Sequence, residues 1–76
     1  MGSSASSKDM YKRQIEGYQR IIETYKREIA NTRELMKDRA NKNNVAGYKA
    51  KIEYRQKEIK QYQELIKRLR EQIKRA

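Results

Sequence analysis

Two runs of apolar residues, with spacings that alternate between four and three residues, constrain the fold of this chain most strongly. The first run extends from Tyr11 to Met36 and the second from Val45 to Ile73. Such a spacing places every member on one stripe of an α-helix, and a sustained stripe of this kind is the seam of a coiled coil. In heptad notation, isoleucine holds most a positions and tyrosine most d positions of the first run. The sequence therefore predicts two long amphipathic helices.

The heptad phase does not continue across Asn41-Lys42-Asn43-Asn44. Asparagine is a poor helix former that turns readily, so we predict a reversal of the chain there. The expected organisation is a single domain with a disordered leader at 1–7, helix one at 8–40, a turn at 41–44 and helix two at 45–76. A continuous rod that pairs in parallel is the alternative, but it would move the second set of isoleucines off the seam. The predicted fold class is all-α, a two-helix antiparallel coiled-coil hairpin.

Arg55 is the one charged residue within the two predicted seams. With a tight turn, the a positions of one helix face the d positions of the other. This register sets most tyrosines against isoleucines, and it sets Arg55 against Ile29. The stem of Arg55 can pack in the seam while its guanidinium group reaches Glu58 on its own helix or Glu28 across the edge. We interpret Arg55 as a residue that sets the register, rather than as a ligand contact.

The same register makes one edge of the predicted hairpin basic. The chain has 20 Lys and Arg against 10 Asp and Glu, a net charge of +10, and the e positions of both helices hold no acid. Cations without interleaved carboxylates oppose closure of a coiled coil slightly and favour an anion along the edge. The alternative is that these side chains only keep the helices solvated. The predicted residues for binding nucleic acid or another anionic partner are Lys12, Lys26, Arg33, Lys49 and Arg70 at e, Arg13, Arg20 and Arg27 at f beside them, and an outer strip of Lys60, Lys67, Arg68, Lys74 and Arg75 on helix two.

The other edge carries apolar residues outside the seam, namely Ile21, Leu35 and Leu65 at g positions. A two-helix hairpin cannot cover such residues alone, so they predict that two chains associate into a four-helix bundle. Self-association also suits a chain of 76 residues that has a small core and no cysteine for disulfide bonds. The alternative is that single apolar side chains on a surface are ordinary.

Functional chemistry is limited by the side chains present. The chain has no histidine and no cysteine, and its serines all lie at the start. We therefore expect no enzymatic activity, no metal site and no cofactor. The predicted function is that of a nucleic-acid-binding or nucleic-acid-organising accessory protein. The alternative is a protein interaction module that docks an acidic helical partner, in an adaptor, secretion or assembly role.

The expected location is the cytoplasm. No apolar run approaches the roughly 20 residues of a membrane span, and the serine-rich start lacks the apolar stretch of a secretion signal. Gly2 followed by Ser6 matches the myristoylation pattern, which leaves binding to a membrane surface as a third possibility. The absence of Trp and Phe, which anchor helices at membrane surfaces, argues against it.

Overall fold

The computed structural model describes residues 3–75, with side chains described from Ser7 onward. Helix α1 spans Ser3–Lys37, a 3₁₀ helix spans Arg39–Asn44, and helix α2 spans Val45–Arg75. The two long helices pack against each other. Within residues 3–75 every position except Asp38 is helical. The predicted all-α fold class and the helical hairpin are confirmed.

The bounds of the first helix differ from the predicted ones. Helix α1 already begins at Ser3, inside the segment expected to be a disordered leader, and it ends at Lys37 rather than at residue 40. No glycine or proline lies between Ser3 and Glu16, so nothing in this stretch interrupts the helical backbone. Met1 and Gly2, which include the possible myristoylation site, lie outside the described residues.

Asp38 ends the first helix. Its backbone is extended, with φ −78° and ψ 127°, and its carboxylate Oδ1 accepts a hydrogen bond from the amide of Ala40 at 2.9 Å. The carbonyl of Leu35 accepts from the Asp38 amide at 3.2 Å and from the Asn41 side-chain amide at 3.0 Å. These hydrogen bonds satisfy backbone groups that would otherwise lack a partner at the end of a helix. The predicted turn is thus a 3₁₀ helix that starts at Arg39, before the asparagine-rich stretch.

The core is the seam between the two helices. Its buried apolar residues are all isoleucines at a positions: Ile15, Ile22, Ile29, Ile52, Ile59 and Ile66. Half-buried d residues such as Tyr25 and Tyr62 pack against them. Thr32 is also buried, and its hydroxyl donates to the carbonyl of Glu28 at 2.7 Å, which satisfies its polar group. None of the predicted seam residues is exposed. The resulting molecule measures 61 Å by 15 Å by 11 Å between Cα atoms.

Candidate nucleic-acid interface

Arg55 shows which edges of the two helices lie together. Its Nε atom lies 2.8 Å from Oε2 of Glu28 on α1, and its Nη1 atom donates to Oε1 of Glu58 on α2 at 2.6 Å. Both glutamates occupy g positions. The g positions of the two helices therefore share one side of the seam, and the e positions share the opposite side. We call these two sides the g edge and the e edge.

The e edge is occupied by cations that form no ion pair with any described side chain. Its five charged residues are Lys12, Lys26, Arg33, Lys49 and Arg70, and all five are exposed. Among the described side chains, the ion pairs formed belong to Arg55 and Lys37, and neither of these lies on the e edge. Within the described part of the chain, the cations of the e edge therefore form no ion pair with a carboxylate.

A row of lysines on α2 extends this surface. Lys60, Lys67 and Lys74 occupy b positions, are exposed, and follow one another at intervals of seven residues, or about 10 Å along a helix. Lys60 lines a surface groove together with Gln56 of the e edge and the seam residue Ile59, which shows that the b row borders the e edge. Glu53, the acidic residue among the b positions of α2, lines the same groove. We call the five cations of the e edge and these three lysines the basic face.

Carboxylates lie between the e edge and the predicted arginines at f positions. On α1, Glu16 and Glu23 at b positions line a groove with Gln19 of the e edge and with Arg20 and Arg27. A b position lies between e and f around a helix, so these carboxylates separate the arginines from the e edge. The same angular order applies to Arg13. That Arg13, Arg20 and Arg27 widen the basic edge stays a prediction, and we leave these arginines out of the basic face because carboxylates lie between Arg20, Arg27 and the e edge.

The residues of the predicted outer strip of α2 lie on two different sides of the helix. Arg68 lines a groove with Gln61, Glu64 and Leu65, on the side of α2 that carries the g edge. Arg75 is exposed and occupies the same c position one heptad later. Because c positions adjoin g positions and b positions adjoin e positions, Arg68 and Arg75 point away from the lysine row.

The g edge holds a polar and aromatic network around Arg55. The ring of Tyr25 lies 4.3 Å from the Arg55 guanidinium carbon, and the ring of Tyr62 lies 6.1 Å from that of Tyr25 and 5.4 Å from that of Tyr18. Burial, followed by the negative charge of Glu58, raises the pKa of Tyr25. The hydrogen bond that Arg55 donates to Glu58 raises the pKa of Arg55, so the guanidinium group stays charged. The ion contact with Glu28 lacks the angles of a hydrogen bond, although its atoms are 2.8 Å apart.

The role of Arg55 was predictable, whereas the ring contacts were not. The sequence indicated both possible acidic partners, and the structure shows contact with both at once. Sequence reasoning set the tyrosines against isoleucines and missed the contacts of Tyr62 with Tyr18 and Tyr25. The available signal was that Ile22, the predicted partner of Tyr62, lies between these two tyrosines on α1.

The large apolar residues that remain exposed are concentrated on the other side of the hairpin. Met10, Leu35, Tyr54 and Leu65 are 59%, 46%, 61% and 37% exposed, and all four occupy c or g positions. Ile21, which was predicted to form part of an apolar patch here, is half-buried by the hairpin itself. Leu35 and Leu65 therefore contribute more apolar surface to this side than Ile21 does.

No protein-family model, curated protein or solved structure matches this chain. The chemistry of its surfaces is therefore the basis for assigning a function. Within residues 3–75, no three acidic side chains converge as metal ligands would, and neither long helix combines the length and apolarity needed to cross a membrane. The basic face offers ammonium and guanidinium groups, which bind phosphates and carboxylates. The exposed ring of Tyr54, on which a base could stack, lies on the other side of the hairpin.

Proposed function

We propose that this protein is a non-enzymatic nucleic-acid-binding and nucleic-acid-organising accessory protein of the cytoplasm, built as an antiparallel coiled coil that associates into a four-helix bundle. The basic face would bind the phosphate backbone. The observation that carries the proposal is the e edge, where five exposed cations form no ion pair with a described carboxylate. The eight cations of the basic face extend over most of the length of the hairpin.

Binding of phosphates would relieve a cost that the free hairpin bears. The proposed register sets Arg33 beside Lys49 near the turn and Lys12 beside Arg70 near the open end. Like charges at the flanks of a coiled coil oppose its closure, and a phosphate between them replaces repulsion with attraction. Each neutralised phosphate also releases condensed counterions, which is the main driving force of binding to the nucleic-acid backbone.

The basic face favours double-stranded nucleic acid without sequence preference. Recognition of single strands usually combines a positive groove with aromatic rings on which bases stack. Tyr54, the exposed tyrosine among the described residues, lies at a c position away from the basic face. Contacts with phosphates fix the position of a protein on a duplex but carry no sequence information. The basic face therefore suits a duplex backbone better than exposed bases.

A salt titration with matched variants tests the proposal. The triple variant Lys26→Gln, Arg33→Gln and Lys49→Gln removes three cations of the e edge. If each contacts one phosphate, the slope of log affinity against log salt should fall by roughly 2.7 on random-sequence duplex DNA, at about 0.9 per contact. The control variant has glutamine at positions 13, 20 and 27 in place of the three arginines. It loses the same charge, but from the f positions behind Glu16 and Glu23.

The control should leave the slope close to that of the unmodified protein. An equal fall in both triple variants would show that net charge, rather than the basic face, drives binding. Failure to bind any DNA or RNA below about 100 mM salt, where electrostatic attraction is only partly screened, would reject the nucleic-acid function. The free e-edge variant should also melt at a slightly higher temperature, because crowding of like charges is relieved.

A second candidate function is docking of an acidic helical partner. The observation that favours it is the heptad spacing of Lys60, Lys67 and Lys74, since a partner helix with acids at the same interval could lie along this row. Capture of partners with and without nuclease treatment separates the two functions. A partner held through nucleic acid is lost after nuclease treatment, and a directly bound acidic protein is retained.

A further inference from the structure

The two sides of the hairpin differ in chemistry as well as in charge. On α1, the c and g positions from Met10 to Leu35 hold no cation, and their one acid, Glu28, is already paired with Arg55. This side also carries every large apolar residue that the described part of the chain leaves exposed. We call the c and g positions of both helices the apolar face. It lies opposite the basic face across the seam.

We infer that a second copy of this chain covers the apolar face, and that the resulting pair bridges two separate nucleic-acid duplexes, one on each outer basic face. The inference rests on the proposed binding of nucleic acid by the basic face. It adds the face through which the two copies associate and the way in which the protein would organise nucleic acid.

The dimensions of the apolar face suit a second copy. The side that contains both helices measures 61 Å by 15 Å between Cα atoms, an area of roughly 900 Å². A stable protein interface buries about 800 Å² on each partner, so a second hairpin lying along the full face meets this requirement. Two stacked hairpins form a four-helix bundle, in which each pair of helices covers the apolar residues of the other.

Charge also favours a second copy. The cations on the apolar face are Lys51, Arg68 and Arg75, and all three belong to α2. If α1 of one copy packs on α2 of the other, these cations face a helix surface that has none. The same arrangement sets Ile21 of one copy near Leu65 of the second copy, because the two residues lie at similar distances from the turn. The apolar face is thus complementary to itself when the two copies have their turns at the same end.

The position of the basic faces leads to bridging. In such a pair the e edges and the lysine rows point outward on opposite sides, separated by two layers of helices. Helix layers pack about 10 Å apart and side chains add about 5 Å on each side, so the basic faces lie roughly 20 Å from each other. A straight duplex bound along one basic face does not reach the basic face on the opposite side of the pair. The second face therefore remains available for another duplex.

A capture assay tests bridging directly. One duplex is tethered to beads, a second fluorescent duplex is free in solution, and the protein is added at low salt. The unmodified protein should sediment as a dimer and retain the free duplex on the beads. The double variant Leu35→Glu and Leu65→Glu should sediment as a monomer and bind a single duplex, while retention of the free duplex falls at least tenfold. Circular dichroism verifies that this variant remains helical.

A matched control separates the apolar face from added charge. The variant Arg27→Gln and Ala50→Glu lowers the net charge by the same two units at exposed f positions, outside both the apolar face and the basic face. It should remain a dimer and retain the free duplex. A monomeric unmodified protein, or a double leucine variant that still bridges, would overturn the inference. A dimer that binds duplex but never retains a second one would overturn bridging alone, whereas failure to bind any duplex would reject the proposed function with it.

Discussion

Replacing Ile59 with alanine should lower the free energy of unfolding by about 2 to 4 kcal/mol. Ile59 is 9% exposed and belongs to the cluster of isoleucines that forms the core. The change removes three carbon atoms, worth about 0.8 kcal/mol each when buried, which accounts for roughly 2.4 kcal/mol. Any further loss of unfolding free energy depends on the size of the cavity that the missing side chain leaves. The flanks of a two-helix seam are open to water, so this contribution should be smaller than in a deep core.

The loss would be a large part of the total stability. Single domains are stable by about 0.05 to 0.15 kcal/mol per residue, which gives roughly 4 to 11 kcal/mol for a chain of 76 residues. At about 4 to 8 °C for each kcal/mol, the melting temperature should fall by about 8 to 32 °C.

Urea denaturation followed by far-UV circular dichroism measures the effect. The protein concentration must be the same for all variants, because association of copies adds to the apparent stability. Gln63→Ala is the control, since Gln63 is exposed on the same helix and should change the free energy of unfolding by less than about 0.5 kcal/mol. A loss below about 0.5 kcal/mol for Ile59→Ala would refute the argument that the seam is the packed core.

Three further experiments examine the seam and its edges. Cysteines in place of Ile22 and Tyr62 should crosslink within one chain under mild oxidation, whereas crosslinks found solely between chains would contradict the hairpin register. Tyr25 has a raised pKa, so the stability it contributes is present below about pH 10 and is lost as pH rises through the raised value. In Tyr25→Phe this alkaline loss should be smaller, and an identical pH profile of the unfolding free energy would contradict it. Gly17→Ala should add about 0.8 to 1 kcal/mol by restricting the unfolded chain, because a Cβ atom there meets nothing within 4 Å; a lower melting temperature would oppose this expectation.

The core was predictable because heptad spacing follows directly from the geometry of a helix. Ile22, Ile59 and the other a residues lie on one stripe whatever the rest of the chain does, and the structure buries them. The partners of Arg55 followed from the same geometry, since Glu58 lies three residues away on the same helix and Glu28 faces it across the edge. Such regularities need only the sequence and the helical repeat.

The end of α1 and the extent of the basic face required more than periodicity. Helix α1 stops at Lys37 because Asp38 forms bonds with its own neighbours, and competition between such local bonds and the helix is decided residue by residue. The angular order of heptad positions already places Glu23 between Arg20 and the e edge. A list of charges by heptad letter does not show this order. The contacts of Tyr62 depend on side-chain rotamers, which packing selects.

The bonds around Asp38 also affect the order in which the hairpin forms. They connect residues close together in the chain, so the reversal can be established before any distant residues meet. Each further layer of the seam then closes a loop that the previous layer has already shortened, and proteins of such low contact order fold rapidly. In the predicted register, the layer of Tyr11 and Ile73 closes last and opens first. Backbone amides there should exchange hydrogen with solvent faster than those beside Ile29 and Ile52, nearer the turn.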